Sequence, residues 1–122
     1  MILSFILYLL MCKHAVADLI LQSRLSGDKL NLRSSKGWMH ALDHAALTVL
    51  VFIFFVSPQF AIVLGVLDFA LHFVIDYCKT LWVRRKGIVL ESRIFWYIQG
   101  IDQISHFTCY MLYIYIVAET LS

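Results

Sequence analysis

Four apolar stretches, each about 20 residues long, occupy most of this 122-residue chain. Their length restricts the fold more than any other feature. They run over about 2–22, 37–56, 58–82 and 94–118. About 20 apolar residues is what an α-helix needs to cross the hydrocarbon core of a bilayer. Hydrocarbon offers backbone N–H and C=O groups no partner, so each stretch is predicted to be a helix. Hydrophobic residues make up 61% of the chain and charged residues 15%, against about 45–50% apolar and 25% charged in soluble domains. A soluble domain this small leaves too much surface exposed to hide that apolar area. A soluble globular domain, a disordered chain and a nucleic-acid binder with a basic face are therefore excluded. The expected fold is all-α, a four-helix transmembrane bundle forming a single domain over 1–122.

The charges give an orientation. Residues 23–36 hold Arg24, Lys29, Arg33 and Lys36 with one acid, Asp28. Residues 83–93 hold Arg84, Arg85, Lys86 and Arg93 with one acid, Glu91. Eight of the ten Lys and Arg thus fall in two loops on one side, whereas the turn Ser57-Pro58-Gln59 carries no charge. The positive-inside rule puts both loops in the cytoplasm and both termini outside. Trp38, Trp82 and Trp96 fall near the cytoplasmic helix ends as interfacial anchors, with Tyr8, Tyr113 and Tyr115 toward the opposite ends. Ala15-Val16-Ala17 mimics a signal-peptide cleavage site, but no positive charge precedes the apolar run and the run continues past it. The first stretch is therefore expected to be a retained transmembrane helix. Cys12, Cys78 and Cys109 form no C-x-x-C and lie in apolar runs, so they are expected to pack as small hydrophobes rather than form disulfides.

All five histidines lie inside the four stretches, each four residues from another His or an Asp. The first stretch carries His14, Asp18 and then Gln22. The second carries His40 and His44. The third carries Asp68, His72 and Asp76, then Lys79. The fourth carries Asp102 and His106. Residues four apart lie on one helix face, so each helix presents one polar stripe. Ionisable groups cost about 2.5–3.5 kcal/mol each in the middle of a membrane helix. A bundle with all four stripes turned inward lets them share partners. Depth agrees. At 1.5 Å per residue from the cytoplasmic helix ends, Asp18 and His40 lie at about 6 Å and Asp76 at about 9 Å. His14, His44 and Asp102 lie at about 12 Å, His72 and His106 at about 15–18 Å, and Asp68 at about 21 Å. The polar groups form one layer in the cytoplasmic half.

A single buried His–Asp pair serves well enough as hydrogen-bonded glue between helices. The whole set at one depth points instead to metal or proton chemistry. Imidazole suits Zn, Fe, Ni or Cu, and carboxylate extends the range to Mn and Mg. Facing helices that offer His and carboxylates build metal sites in bundle cores. Divalent metal is the expected cofactor, zinc first, with iron or manganese as alternatives. The expected ligands are His14, Asp18, His40, His44, His72, Asp76 and His106, with Asp68 and Asp102 as ligand or base. Gln22, Lys79 and Gln103 are expected to support them, with Gln22 favoured by its spacing from Asp18. Lys79 reads either as a snorkelling lysine or as a contact to Asp76 or an anionic substrate. Asp43 lies off the His40/His44 line, and Gln99 lies near the same layer. Arg84-Arg85-Lys86 is a topology signal or a headgroup contact.

The chain resembles a small bacterial and phage integral-membrane family of unknown function. The resemblance is carried by His14-x3-Asp18-x3-Gln22, His40-x3-His44, His72-Phe-x-Ile-Asp76-Tyr77-x-Lys79 and Asp102-Gln103-x2-His106, and covers nearly the whole chain. Family members usually have Gly before the first Asp, where this chain has Ala17; no ligand is lost. The resemblance implies a polytopic protein, similar in kind to membrane-bound metal-dependent hydrolases, in the bacterial inner membrane or a phage host's membrane.

Three functions compete. A metalloenzyme would use the metal to activate water or polarise a phosphoryl or carbonyl oxygen, with an Asp or His as base. Its pocket would open to the cytoplasmic leaflet and take lipid-linked or anionic substrates, which the basic loops attract. Membrane lipid is the expected partner and nucleic acid is not. An ion or proton transporter needs a polar path through the whole bilayer, but residues 2–12, 47–64 and 107–118 hold no charge. A non-catalytic membrane interaction factor is the third reading.

Overall fold

The computed structural model describes residues 1–21 and 35–122. Among the described residues the protein is all-helical. Helix α1 spans Ile2–Ala15 and runs on as a wider π-helical segment, Val16–Leu21. Helix α2 spans Ser35–Phe52, α3 Pro58–Arg85 and α4 Arg93–Leu121. Two helical stretches, Ile2–Leu21 and Pro58–Arg85, are long and apolar enough to cross a membrane.

Local chemistry sets the boundaries. Proline at 58 holds Ser57 in an extended conformation (φ −61, ψ 149), because the ring crowds the residue before it. Helix α2 ends at Phe52, before the expected Val56, and closes with a turn in which the amides of Phe55 and Val56 donate to Phe52 O. Pro58 then starts α3 at the position where its missing N–H costs nothing. The Ser57 hydroxyl accepts from Phe60 N at 3.3 Å, and Ser92 does the same for Phe95 N of α4 at 3.2 Å. At the other end of α3, Gly87 takes φ 59. Its amide donates to Arg84 O (3.2 Å) and that of Ile88 to Val83 O (3.0 Å). This is the paired bonding of a Schellman stop, which requires the left-handed conformation glycine adopts readily.

The four helices form a ring in which α1 touches α2 and α4, and α3 touches α2 and α4; the diagonal pairs make no close backbone contact. One end of the ring is closed by an apolar plug that includes Ile6, Leu10, Phe52, Leu64, Tyr113 and Val117. The His and Asp stripes converge beside it. Trp38 does not project freely outward but stacks on Phe73 of α3, with ring centres 4.2 Å apart. The three cysteines are free thiols.

Helices α2 and α3 pack closest, at Gly65. A Cβ there would collide with the Val49 side chain and stand 3.1 Å from Ala45 O. Small residues at such crossings let backbones approach. Gly65→Val is expected to destabilise the bundle by at least the 1–3 kcal/mol typical of overpacking, about the same as a large core mutation. Thermal unfolding of the purified variant checks this; an unchanged midpoint would show that the α2/α3 contact is slack.

Candidate metal centre

The polar stripes meet because each is one helix face and the ring turns all four inward. His14, His40, His44, His72, His106, Asp76 and Asp102 are all buried. Asp18 lies in the π-helical segment. Such segments widen the helix and re-aim side chains, often at functional sites. Here Asp18 reaches three histidines. Its Oδ1 stands 3.0 Å from His44 Nε2 and 3.3 Å from His40 Nε2. Its Oδ2 stands 3.1 Å from His14 Nε2.

A second carboxylate, Asp76, sits across the ring. Its Oδ2 lies 3.6 Å from both His40 Nε2 and His72 Nε2, and its Oδ1 lies 3.5 Å from His106 Nε2. The Nε2 atoms of His40 and His72 face each other at 3.3 Å. Two ring nitrogens so placed cannot both point a proton at the other; one shared proton or one shared cation reconciles them. Among the described residues, two groups bring ligand atoms within 4.8 Å of one another: Asp18, His40, His44 and His72, and His72, Asp76 and His106. Tetrahedral zinc with bonds of about 2.0–2.2 Å separates its ligand atoms by about 3.3–3.6 Å. The spacings among His40, His72 and Asp76 fall in that range. These residues fit a metal ion by donor chemistry and by spacing, and the buried His/Asp groups could hold one.

The remaining partners sort the histidines by role. His14 Nε2 faces two acceptors, Asp18 Oδ2 at 3.1 Å and Gln103 Oε1 at 3.1 Å, so it carries a proton, and Nδ1 accepts from the Tyr110 hydroxyl at 2.7 Å. Lys13 Nζ has three acceptors: Asp68 Oδ2 at 2.7 Å, His44 O at 3.3 Å and His44 Nδ1 at 3.3 Å. An ammonium only donates. His44 Nδ1 therefore accepts, and Nε2 donates to Asp18. His14 and His44 thus hold Asp18 in place, while His40, His72, Asp76 and His106 face one another. In contrast to the sequence expectation, His14 joins neither ligand group.

Asp68 also departs from the expectation of ligand or base. Its Oδ2 accepts from Lys13 (2.7 Å) and from Thr48 Oγ1 (2.6 Å), and its Oδ1 accepts from the Tyr113 hydroxyl (2.9 Å). It stands outside both groups, one helical turn farther into the bundle, with its oxygens committed. Asp102 lies beside His106, with Oδ1 at 3.6 Å from His106 Nε2. Its Oδ2 accepts from Lys79 Nζ at 3.0 Å and from Gln103 Nε2 at 3.3 Å. Asp102 Oδ1, His40 Nδ1 and His72 Nδ1 are buried without a hydrogen-bond partner among the described residues. Lys79, expected to snorkel or to contact Asp76 or an anionic substrate, is nearer Asp102 (3.0 Å) than Asp76 (4.0 Å). Asp43 is half-buried and joins neither group. Gln22 lies outside the described residues.

Sequence reasoning missed Lys13, Thr48, Tyr110 and Tyr113. Two of them were within reach: continuing the four-residue stripes by one turn leads from His44 to Thr48 and from His106 to Tyr110. Lys13 signalled itself as a cation inside an apolar helix, an expensive placement that implies a partner.

Residues 6–122 match the family described as Protein of unknown function (DUF3307). No curated protein and no solved structure matches the chain. The match spans nearly the whole sequence, and the chain belongs to this family.

Proposed function

We propose that this member of the DUF3307 family is a membrane-embedded metal-dependent enzyme, a hydrolase that takes a lipid-linked or anionic substrate from the cytoplasmic side. All four helices cross the bilayer in this reading, with the two basic loops in the cytoplasm and both termini outside, in a bacterial inner membrane. Support for the membrane comes from the outward faces. Large apolar residues such as Leu42, Phe54, Val66, Ile104, Met111 and Tyr115 are exposed around the ring, a surface that water does not tolerate. Only 28% of the apolar window in Ile2–Leu21 and 33% of that in Pro58–Arg85 is buried within the bundle, unlike the core helix of a soluble protein.

The observation that carries the functional reading is the convergence of His40, His72, His106 and Asp76, with four spacings of 3.3–3.6 Å among them, in a buried layer. These residues would hold the ion, with zinc favoured and iron or manganese as alternatives by ligand type. Bound there, a divalent metal supplies Lewis-acid chemistry toward water and a phosphoryl or carbonyl oxygen. Asp102 is the residue best suited to take a proton. Lys79 and Gln103 occupy its Oδ2, which leaves Oδ1 turned toward the His106 side without a hydrogen bond. His14 and His44 orient Asp18, as hydrogen-bonded partners orient the groups around a metal. The apolar plug beyond the layer favours a one-sided pocket over a transport path, since conduction needs polar groups through the whole bilayer.

Elemental analysis of detergent-purified protein tests the reading. A transition metal at or near stoichiometric amount is expected. Its removal by a chelator should lower the thermal midpoint, because a ligand that binds only the folded state adds about 2.7 kcal/mol at a hundredfold excess over Kd. Protein that is folded, metal-free and indifferent to added zinc, iron or manganese would refute the proposal.

A further inference from the structure

A cavity of about 270 Å³ lies between α3 and α4, beside the metal layer. Its walls are mostly apolar, with Val74 and Ile75 on one side and Ile98 and Ile101 on the other. From Val74 to Trp82 it covers eight residues, about 12 Å along the helix axis. Lys79 and Asp102 also line it. Asp102 is only 5% exposed, and its Oδ1 stands 3.6 Å from His106 Nε2. Trp82 marks one end. The next turn of α3 on that face carries Arg85 and Lys86, both exposed. The groove is thus apolar within and cationic at its mouth.

We propose that this groove binds one hydrocarbon chain of an anionic lipid of the cytoplasmic leaflet, with its head at Lys79 and the Arg85–Lys86 mouth. The inference rests on the membrane orientation proposed above and names the substrate class of that same site. The apolar walls take a methylene chain, since each buried CH₂ contributes about 0.8 kcal/mol. Lys79, Arg85 and Lys86 attract a phosphate, as basic residues near the bilayer surface do. The head then lies next to His106 and the proposed metal ligands. A second groove, between α2 and α3, is similar in size at about 260 Å³ but is lined only by residues such as Leu42, Ala46, Ile62 and Phe69. It has no polar group with which to choose a head.

The test is native mass spectrometry of the full chain exchanged into an equal mixture of phosphatidylglycerol and phosphatidylcholine, with metal content measured on the same samples. The wild type should retain one phosphatidylglycerol, favoured over phosphatidylcholine by about tenfold. Ser105→Trp fills the groove and should cut that retention by about tenfold, a loss of about 1.4 kcal/mol, with metal content unchanged. Lys79→Gln should abolish the preference for the anionic head. Ala46→Trp, in the other groove, should change nothing. If Ser105→Trp also loses metal, Ile101→Trp, at an exposed position, decides by the same criterion. Equal retention of both lipids by the wild type overturns the inference. So does undiminished retention when the groove is filled, or a dimer sealed through this face. Lipid selectivity in protein that never binds metal would leave the groove standing and remove the metal reading alone.

Discussion

His72→Ala is expected to abolish metal binding. His72 is the one residue shared by both ligand groups, and it faces His40 at 3.3 Å and Asp76 at 3.6 Å. Loss of a residue that merely supports a ligand costs about 10–100-fold in metal affinity. Loss of a ligand common to both groups should exceed that, and metal in the purified protein should fall below detection. Two effects separate this from simple unfolding. The imidazole is buried at 2% exposure, so alanine also leaves a cavity and some loss of stability is expected. His72→Gln fills most of that volume but offers a weak ligand, so it should keep the fold while still losing the metal. Elemental analysis with a thermal melt on each variant distinguishes the outcomes. Stoichiometric metal in a folded His72→Ala protein would place the ion elsewhere.

Lys13→Met is expected to be among the most destabilising single changes in the molecule. Its ammonium is 4% exposed and lies 2.7 Å from Asp68. Removing it leaves a buried carboxylate with only the Thr48 and Tyr113 hydroxyls as partners. Breaking a buried ion pair by deleting one member costs about 3–5 kcal/mol, because the other charge stays buried and uncompensated. Replacing both members should hurt less. The double variant Lys13→Met with Asp68→Asn removes the charges together, and such replacements are often near neutral. Thermal unfolding of the single and double variants in the same detergent is the measurement. A Lys13→Met melt like the wild type, or a double variant worse than the sum of the singles, would show that the pair does not hold the bundle. His44→Phe removes only one acceptor of Lys13 and is expected to weaken metal retention more than stability, through release of Asp18.

Much of this molecule was legible before any coordinates. The positions of the helices follow from the length of the apolar runs, and the start of α3 from Pro58. The inward-facing layer follows from four-residue spacing, because residues at that interval share a helix face whatever the helix packs against. His40, His72, Asp76 and His106 were named on that basis. Lys13 was not, although it adjoins His14. Neighbouring residues on a helix lie about 100° apart, so Lys13 falls off the stripe that His14 and Asp18 define and points at a different part of the interior.

The sequence by itself determined that the His and Asp stripe of each helix must turn inward, since burying an ionisable group is costly unless it shares partners. Only the tertiary structure decided how those groups pair. Asp68 and Asp76 lie on the same face of α3, eight residues and about 12 Å apart, and nothing local distinguishes them. The ring of helices sets Asp68 opposite Lys13, Thr48 and Tyr113, and Asp76 opposite His40 and His106. One carboxylate is thereby neutralised as part of the framework, and the other is left among imidazoles. Spacing along a helix fixes a face, whereas the function of a group on that face depends on what the neighbouring helices bring within about 3–4 Å.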